Sequence, residues 1–220
     1  MPRTLNGSID VVLDLYHGNE LSSLSEAKAD GIVALIHKAS EGSTVQDPMY
    51  SNRRHEARAA GLLWGAYHFA SGAPVQDQVD NFLKAIQWGV DSEFDKQTLL
   101  CLDFEASHSG PDMPFDGVCE FVEKIQEKTG RWPMIYGGAL LVEKAATAAP
   151  NCAAANCPLW FARYNNEPID LPKLWTKFTL WQYTDGSDGP QPTQTAKGKY
   201  DRSCFVGNLD QLKAQWPQFN

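Results

Sequence analysis

No window of this 220-residue sequence comes near the ~20 consecutive apolar residues that a membrane-spanning helix needs, so membrane insertion is not expected. The amino terminus is not read as a secretory leader, because its apolar run is short and is broken by Asp10 and Asp14; either another export route or a leader already removed is expected. Basic residues are sparse. Nineteen Lys and Arg against 27 Asp and Glu leave a net charge of −8, with no cationic cluster to meet a phosphate backbone, which argues against nucleic acid as a partner. No glycine-rich phosphate loop follows any strand-like run, and no G-x-S-x-G elbow supports serine hydrolase chemistry. Cysteine is limited to Cys101, Cys119, Cys152, Cys157 and Cys204, an odd, scattered set that suggests thiols rather than a disulfide framework. Cys152 and Cys157 are close enough in sequence to pair or to form half of a metal site. No second Cys/His pair with zinc-like spacing accompanies them, so neither a metal nor an organic cofactor is expected.

What the sequence does hold is an ordinary globular mixture, 43% hydrophobic and 21% charged, long enough to build a core without staples. β-branched apolar runs alternate with helical patterns throughout. Strands are predicted over 9–16, 32–39, 62–69, 98–105, 132–137, 158–164, 178–183 and 200–205. Helices are predicted over 25–30 with Gly31 as the stop, from Asp47-Pro48 to Gly61, over 76–88, over 115–130, in the Ala-rich piece after 137, and over 209–216. Eight strands separated mostly by helices imply parallel βαβ units that can close into a barrel. A doubly wound open sheet is the rival, weakened by the missing phosphate loop. The class is therefore α/β, with thin helical signal in the last third. No break in composition marks a second domain, so one domain is expected over 1–220 with its core over about 9–216, and 185–198 reads as a long loop.

A parallel barrel gathers the carboxyl ends of its strands at one face, where active sites are built. The strand ends here carry Asp14, Tyr16, His17, Lys38, Tyr67, His68, Asp103, Glu105, Tyr136, Arg163, Tyr164, Gln182, Tyr183 and Asp201. Acids and aromatics gathered this way suit a sugar cleft, since carboxylates and amides bond hydroxyls while rings cover pyranose faces. Acid-x-acid spacing alone decides nothing, because it also occurs at Asp91/Glu93 and Glu93/Asp95, as chance placement of 27 acids allows. Only Asp103/Glu105 follows a continuous apolar run, Leu99 to Leu102. On a strand, residues two apart point the same way, so both carboxylates are expected to face one cavity. Each then raises the proton affinity of the other, and one can stay protonated as a general acid requires. Taken singly, Trp64, Trp132, Trp160 and Trp181 read as core, and Lys38 and Arg163 as partnered cations with buried stems. His68 reads as a hydrogen-bonded core histidine as readily as a ligand, and Asp14 as a helix cap as readily as a catalyst.

The order of these segments resembles the glycoside hydrolase family 25 lysozymes from Val12 to Phe205. VLDLYH (12–17), KASEG (38–42), GAYHF (65–69), LDFE (102–105), IYGG (135–138), LWFARY (159–164), WQYTDG (181–186) and YDRSCF (200–205) follow in the family's order. Two positions depart from its pattern: Tyr16 stands where a serine is usual and Ser203 where an asparagine is usual. Segments 106–114 and 145–157 are not covered. The resemblance implies a modified, incomplete TIM-like β/α barrel and retaining N-acetylmuramidase activity on peptidoglycan glycan strands. It implies Glu105 as general acid and base and Asp103 as the partner carboxylate, either attacking the sugar or orienting the substrate's 2-acetamido group. Asp14, Asp201, Tyr67, Tyr136, Tyr164, Trp181 and Gln182 would bind substrate. A glycan-binding protein of the same fold without catalysis, and a chitin-cleaving barrel glycosidase, are the alternatives. An enzyme of this kind made without a leader is expected to reach the wall through a holin-type release route or a dedicated secretion system.

Overall fold

The computed structural model describes residues 3–21, 23–149, 151–190, 194–195 and 198–219. Eight strands close into a barrel: β2 (Ser8–Leu15), β3 (Ala34–Glu41), β5 (Leu63–Phe69), β6 (Thr98–Asp103), β7 (Met134–Gly137), β8 (Leu159–Ala162), β9 (Leu180–Thr184) and β12 (Asp201–Phe205). Four short strands decorate it: β1 (Arg3–Leu5) and β4 (Val45–Gln46) at the sheet's ends, and the hairpin of β10 (Gln194–Thr195) and β11 (Gly198–Lys199). That hairpin lies inside the segment read as a loop, of which 191–193 and 196–197 fall outside the described residues. Helices α1 (Leu24–Ala29), α2 (Tyr50–Ala60), α3 (Val75–Ala85), α4 (Ser92–Gln97), α5 (Phe115–Thr129), α6 (Ala139–Ala145) and α7 (Leu209–Gln215) follow the strands, with a 3-10 turn at Ala153–Asn156. Between β8 and β9 no helix forms, consistent with the weak helical signal there.

Period-two alternation sorts the strand residues into two layers. Leu13, Leu35, Leu100, Leu102, Leu159 and Phe161 face outward and pack under the helices against residues such as Phe82, Phe121 and Ile125. Val12, Ile36, Leu99, Cys101, Met134, Trp160, Leu180 and Phe205 fill the barrel's interior. Trp216 and Phe219 join this inner cluster. Local signals set the helix ends. Ser23 caps α1 by accepting from the amides of Ser25 and Glu26. Gly130 ends α5 in the left-handed region at φ 74°, where a β-carbon would be strained.

Three expectations are corrected. First, the barrel is mixed: β2, β3, β5, β6, β7, β8 and β9 run parallel in succession, but β12 pairs antiparallel with both β9 and β2. Among the described residues the connection from β9 to β12 has no crossover helix, and the chain returns in the opposite direction. Second, α2 starts at Tyr50 rather than at Asp47-Pro48, because the Asp47 carboxylate is taken up by the amides of Met49 and His17. Third, Cys152 pairs with Cys119 of α5 and not with Cys157. Cys152 and Cys157 flank the 3-10 turn, and the packing of that turn on α5 brings Cys119 to Cys152 with the α-carbons 5.5 Å apart. Cys101, Cys157 and Cys204 are buried thiols.

Candidate active site

The carboxyl ends of the parallel strands open into a cleft of about 330 Å³ lined by Asp14, Tyr16, Lys38, Tyr67, Phe69, Asp103, Glu105, His108, Tyr136, Trp160 and Asp201. Asp201 reaches this face because β12 is reversed: the first residue of an antiparallel strand lies beside the last residues of its parallel neighbours, and Asp201 stands opposite Asp14. A larger hollow of about 520 Å³ lies at the amino ends of β7, β8 and β9. It is lined by Arg131, Trp132, Trp175 and Lys177 among others and contains no carboxylate, so acid–base chemistry belongs to the smaller cleft.

Asp103 ends β6. Phe104 points outward into the helix layer, edge-on to Phe115, while its amide donates to the Tyr136 carbonyl. Asp103 and Glu105 therefore flank a buried aromatic anchor and share the inner side. Asp103 is 6% exposed, and its Oδ1 is buried without a hydrogen-bond partner among the described residues. Burial raises its proton affinity well above the usual carboxylate range; the charges of Glu105 and Asp14 add to that, and Lys38 opposes it. Burial likewise raises Glu105, against a lowering by His108. The cleft thus holds protons that free carboxylic acids would have lost.

Across the cleft a second pair is tied into a network. Gln182 Nε2 donates to both oxygens of Asp14, at 3.1 and 3.0 Å, and its Oε1 accepts from the hydroxyls of Tyr136 (2.7 Å) and Tyr164 (2.8 Å). Each side of the amide meets the partner its chemistry requires, which fixes its orientation. Burial and the neighbouring Asp201 push Asp14 well up, so the two facing carboxyls hold on to protons together. Burial pushes Asp201 up to about 6. Tyr67 and Tyr136 are raised by burial and by the surrounding carboxylates, so their hydroxyls stay protonated donors.

Of the residues singled out in the sequence, the structure brings Asp14, Tyr67, Asp103, Glu105, Tyr136 and Asp201 to the cleft wall, with Gln182 and Tyr164 behind it. Trp181 is a correction. It neighbours Gln182 on the strand and so points the other way, buried with Tyr183 and Cys204, its indole N–H bonded to the Arg163 carbonyl. Lys38 pairs with Glu41 and lies 4.8 Å from the Phe69 ring centre, while Arg163 pairs with Asp170. His68 is a buried, hydrogen-bonded core histidine between Ser40 and Gln78. Phe69, His108 and Trp160 are cleft residues not singled out as such. Phe69 follows Tyr67 at the strand period, a signal within reach of the sequence. His108, stacked on Phe69 at 4.4 Å, sits on a loop that no periodicity addresses.

Comparison with known proteins agrees with this geometry. The model for "Glycosyl hydrolases family 25" matches residues 13–191. The uncharacterised protein YegX of Escherichia coli O157:H7 is 28% identical over 180 residues, covering 80% of this chain and 60% of YegX, so the chain spans only part of that relative. Lysozyme M1 of Streptomyces globisporus is 27% identical over 212 residues, covering 92% of this chain and 69% of that enzyme. The structure of a muramidase from Trichobolus zukalii superposes with a TM-score of 0.73 at 29% identity, over 93% of this chain and 97% of that one.

Proposed function

The chain belongs to glycosyl hydrolases family 25, and from that premise we propose that it is a peptidoglycan-cleaving muramidase, hydrolysing the β-1,4 bond after N-acetylmuramic acid with retention. The observation that carries this reading is Asp103 Oδ1, buried and without a hydrogen-bond partner among the described residues, beside Glu105 in an acid-lined cleft. An orphaned buried acceptor is costly unless a ligand completes it. The N–H of a 2-acetamido group is a donor of the right kind.

Two carboxyls two residues apart on the same wall of the cleft approach the sugar from the same side, whereas direct attack by one and protonation by the other need opposite faces. Asp103 therefore acts by holding the acetamido group while its carbonyl oxygen attacks the anomeric carbon. Glu105 protonates the departing glycosidic oxygen, then takes a proton from the water that opens the intermediate. Burial raises both acids, and the charge of Glu105 adds to the rise of Asp103. An N–H donated to Asp103 favours its anion, and the pair's proton passes to Glu105, where the leaving oxygen needs it. Asp14, Asp201, Tyr67, Tyr136, Tyr164 and Gln182 position the sugar. The Cys119–Cys152 disulfide suits an oxidising compartment, in keeping with action on the cell wall, and among the described residues no helix is long and apolar enough to cross a membrane.

The test is reducing-end release from purified peptidoglycan, with products identified by mass and chitin digested in parallel. Glu105→Gln is expected to fold normally and to lose roughly 10²- to 10⁴-fold in turnover. A variant that clears walls near the parent rate overturns the acid assignment, and products from chitin alone overturn the substrate.

A further inference from the structure

Tyr16 is an aromatic residue of the cleft that the chemistry above does not use. It leaves 44% of its surface exposed at the rim, beside Asp14. The main chain that carries this exposed ring is held from several sides. Its amide donates to Asn19 Oδ1 at 2.7 Å, and its carbonyl accepts from the Asn19 amide at 3.0 Å, closing the turn. Arg53, buried on α2, donates to the carbonyls of Tyr16 (2.7 Å) and Asn19 (2.6 Å). Asp47 accepts from the His17 amide, and the His17 ring packs edge-on against Tyr16 at 5.2 Å.

Gly18 supplies an independent sign. Its backbone is not in the left-handed region, so no turn geometry demands glycine there. The ring occupies the space instead. A β-carbon on Gly18 would lie 2.5 Å from Cε2 and Cζ of Tyr16 and 2.6 Å from its hydroxyl. The ring thus folds back over the glycine at the cleft rim, and it belongs to none of the buried core clusters. Ordering the backbone that carries an exposed ring lowers the entropy still to be lost when a ligand covers it.

We propose that Tyr16 is a specificity-determining platform for the glycan, stacking its ring on the pyranose that occupies the Asp14–Asp201 end of the cleft. Tyr16 follows β2 and Tyr136 ends β7, the first and fifth strands of the eight-strand ring, so the two aromatics stand on opposite walls. A sugar strand passing between them meets a ring on one side and a hydrogen-bonding hydroxyl on the other. The proposal rests on the glycan-cleaving reading but makes a separate claim about binding.

The experiment measures both. Soluble peptidoglycan-derived oligosaccharides are titrated into Glu105→Gln protein with and without Tyr16→Ala, and hydrolysis is followed with the Tyr16→Ala, Tyr16→Phe and Gly18→Ala single variants. Tyr16→Ala is expected to weaken binding and raise KM by roughly tenfold while kcat changes less than twofold. Tyr16→Phe should rescue the affinity that Tyr16→Ala loses. Gly18→Ala, which displaces the ring without removing it, should raise KM severalfold. Unchanged Kd and KM in Tyr16→Ala overturn the proposal, as does a loss confined to kcat. A parent that binds these sugars through Tyr16 yet releases no reducing ends overturns the hydrolase reading and leaves the platform standing.

Discussion

Asp10 and Asp14 lie four residues apart on one strand, both buried, and meet opposite fates. Asp10 faces a guanidinium: Arg202 Nε and Nη2 reach its two oxygens at 3.2 and 2.8 Å, and the same Nε reaches the Tyr183 hydroxyl at 2.9 Å. Asp14 faces another carboxyl, Asp201. Strict alternation would put both acids on one face, but the register between β2 and β12 slips between Ser203 and Cys204, leaving Val11 without an opposite residue. One bulge thus separates an acid that belongs to the scaffold from one that belongs to the cleft. The scaffold charge is neutralised and fully bonded. The cleft charges are set against one another, with Asp103 Oδ1 unpartnered among the described residues. A fold tolerates uncompensated acids where a ligand is to complete them and compensates them elsewhere.

The sharpest way to break this contrast is to remove the compensation. Arg202→Met leaves Asp10 buried without its cation, a change expected to cost about 3–5 kcal/mol and to lower the melting temperature by roughly 10 °C. A calorimetric midpoint equal to the parent's would show that the pair is not what holds β12 to β2. In the cleft the same kind of surgery should leave the fold alone. Asp103→Asn is expected to melt at or above the parent temperature, since it relieves repulsion from Glu105 and Asp14, yet to lose roughly 10²- to 10³-fold in kcat. Lost stability with retained turnover would reverse the roles assigned to the two regions.

Much of this arrangement was legible in the sequence. Apolar runs placed all eight barrel strands, and the Leu99–Leu102 run singled out Asp103 and Glu105 from equally spaced acids. The direction of β12 was not legible, because strand pattern is blind to polarity; the thin helical signal in the last third of the sequence is a hint of it. Asp201 was assigned to the correct face under the assumption of a parallel strand, and it stands there because the strand is reversed. The resemblance put Trp181 with the substrate-binding residues, but its place beside Gln182 on the strand turns it to the opposite face, where it packs as the reading of it as core expects. The Cys119–Cys152 pairing depends on how α5 packs against the 3-10 turn, a tertiary fact that spacing does not carry.

The smallest expected effect separates the two regions by pH. Burial holds Asp201 at about 6 in the folded protein, whereas the unfolded chain releases that proton near pH 4. Between those values the folded state keeps a proton that the unfolded state has lost, so raising the pH through this window lowers stability, and the loss is complete above pH 6. Asp201→Asn removes the titrating group and should therefore stabilise at pH 7 by about 1–2 kcal/mol, part of the full shift belonging to the proton shared with Asp14. At about pH 3, below the unfolded value, Asp201 is largely neutral in both states and that advantage should shrink towards zero. Melting curves of parent and variant at the two pH values decide it. An equal difference at both would mean that the substitution acts through packing, and that crowding of like charges at the cleft costs the fold nothing.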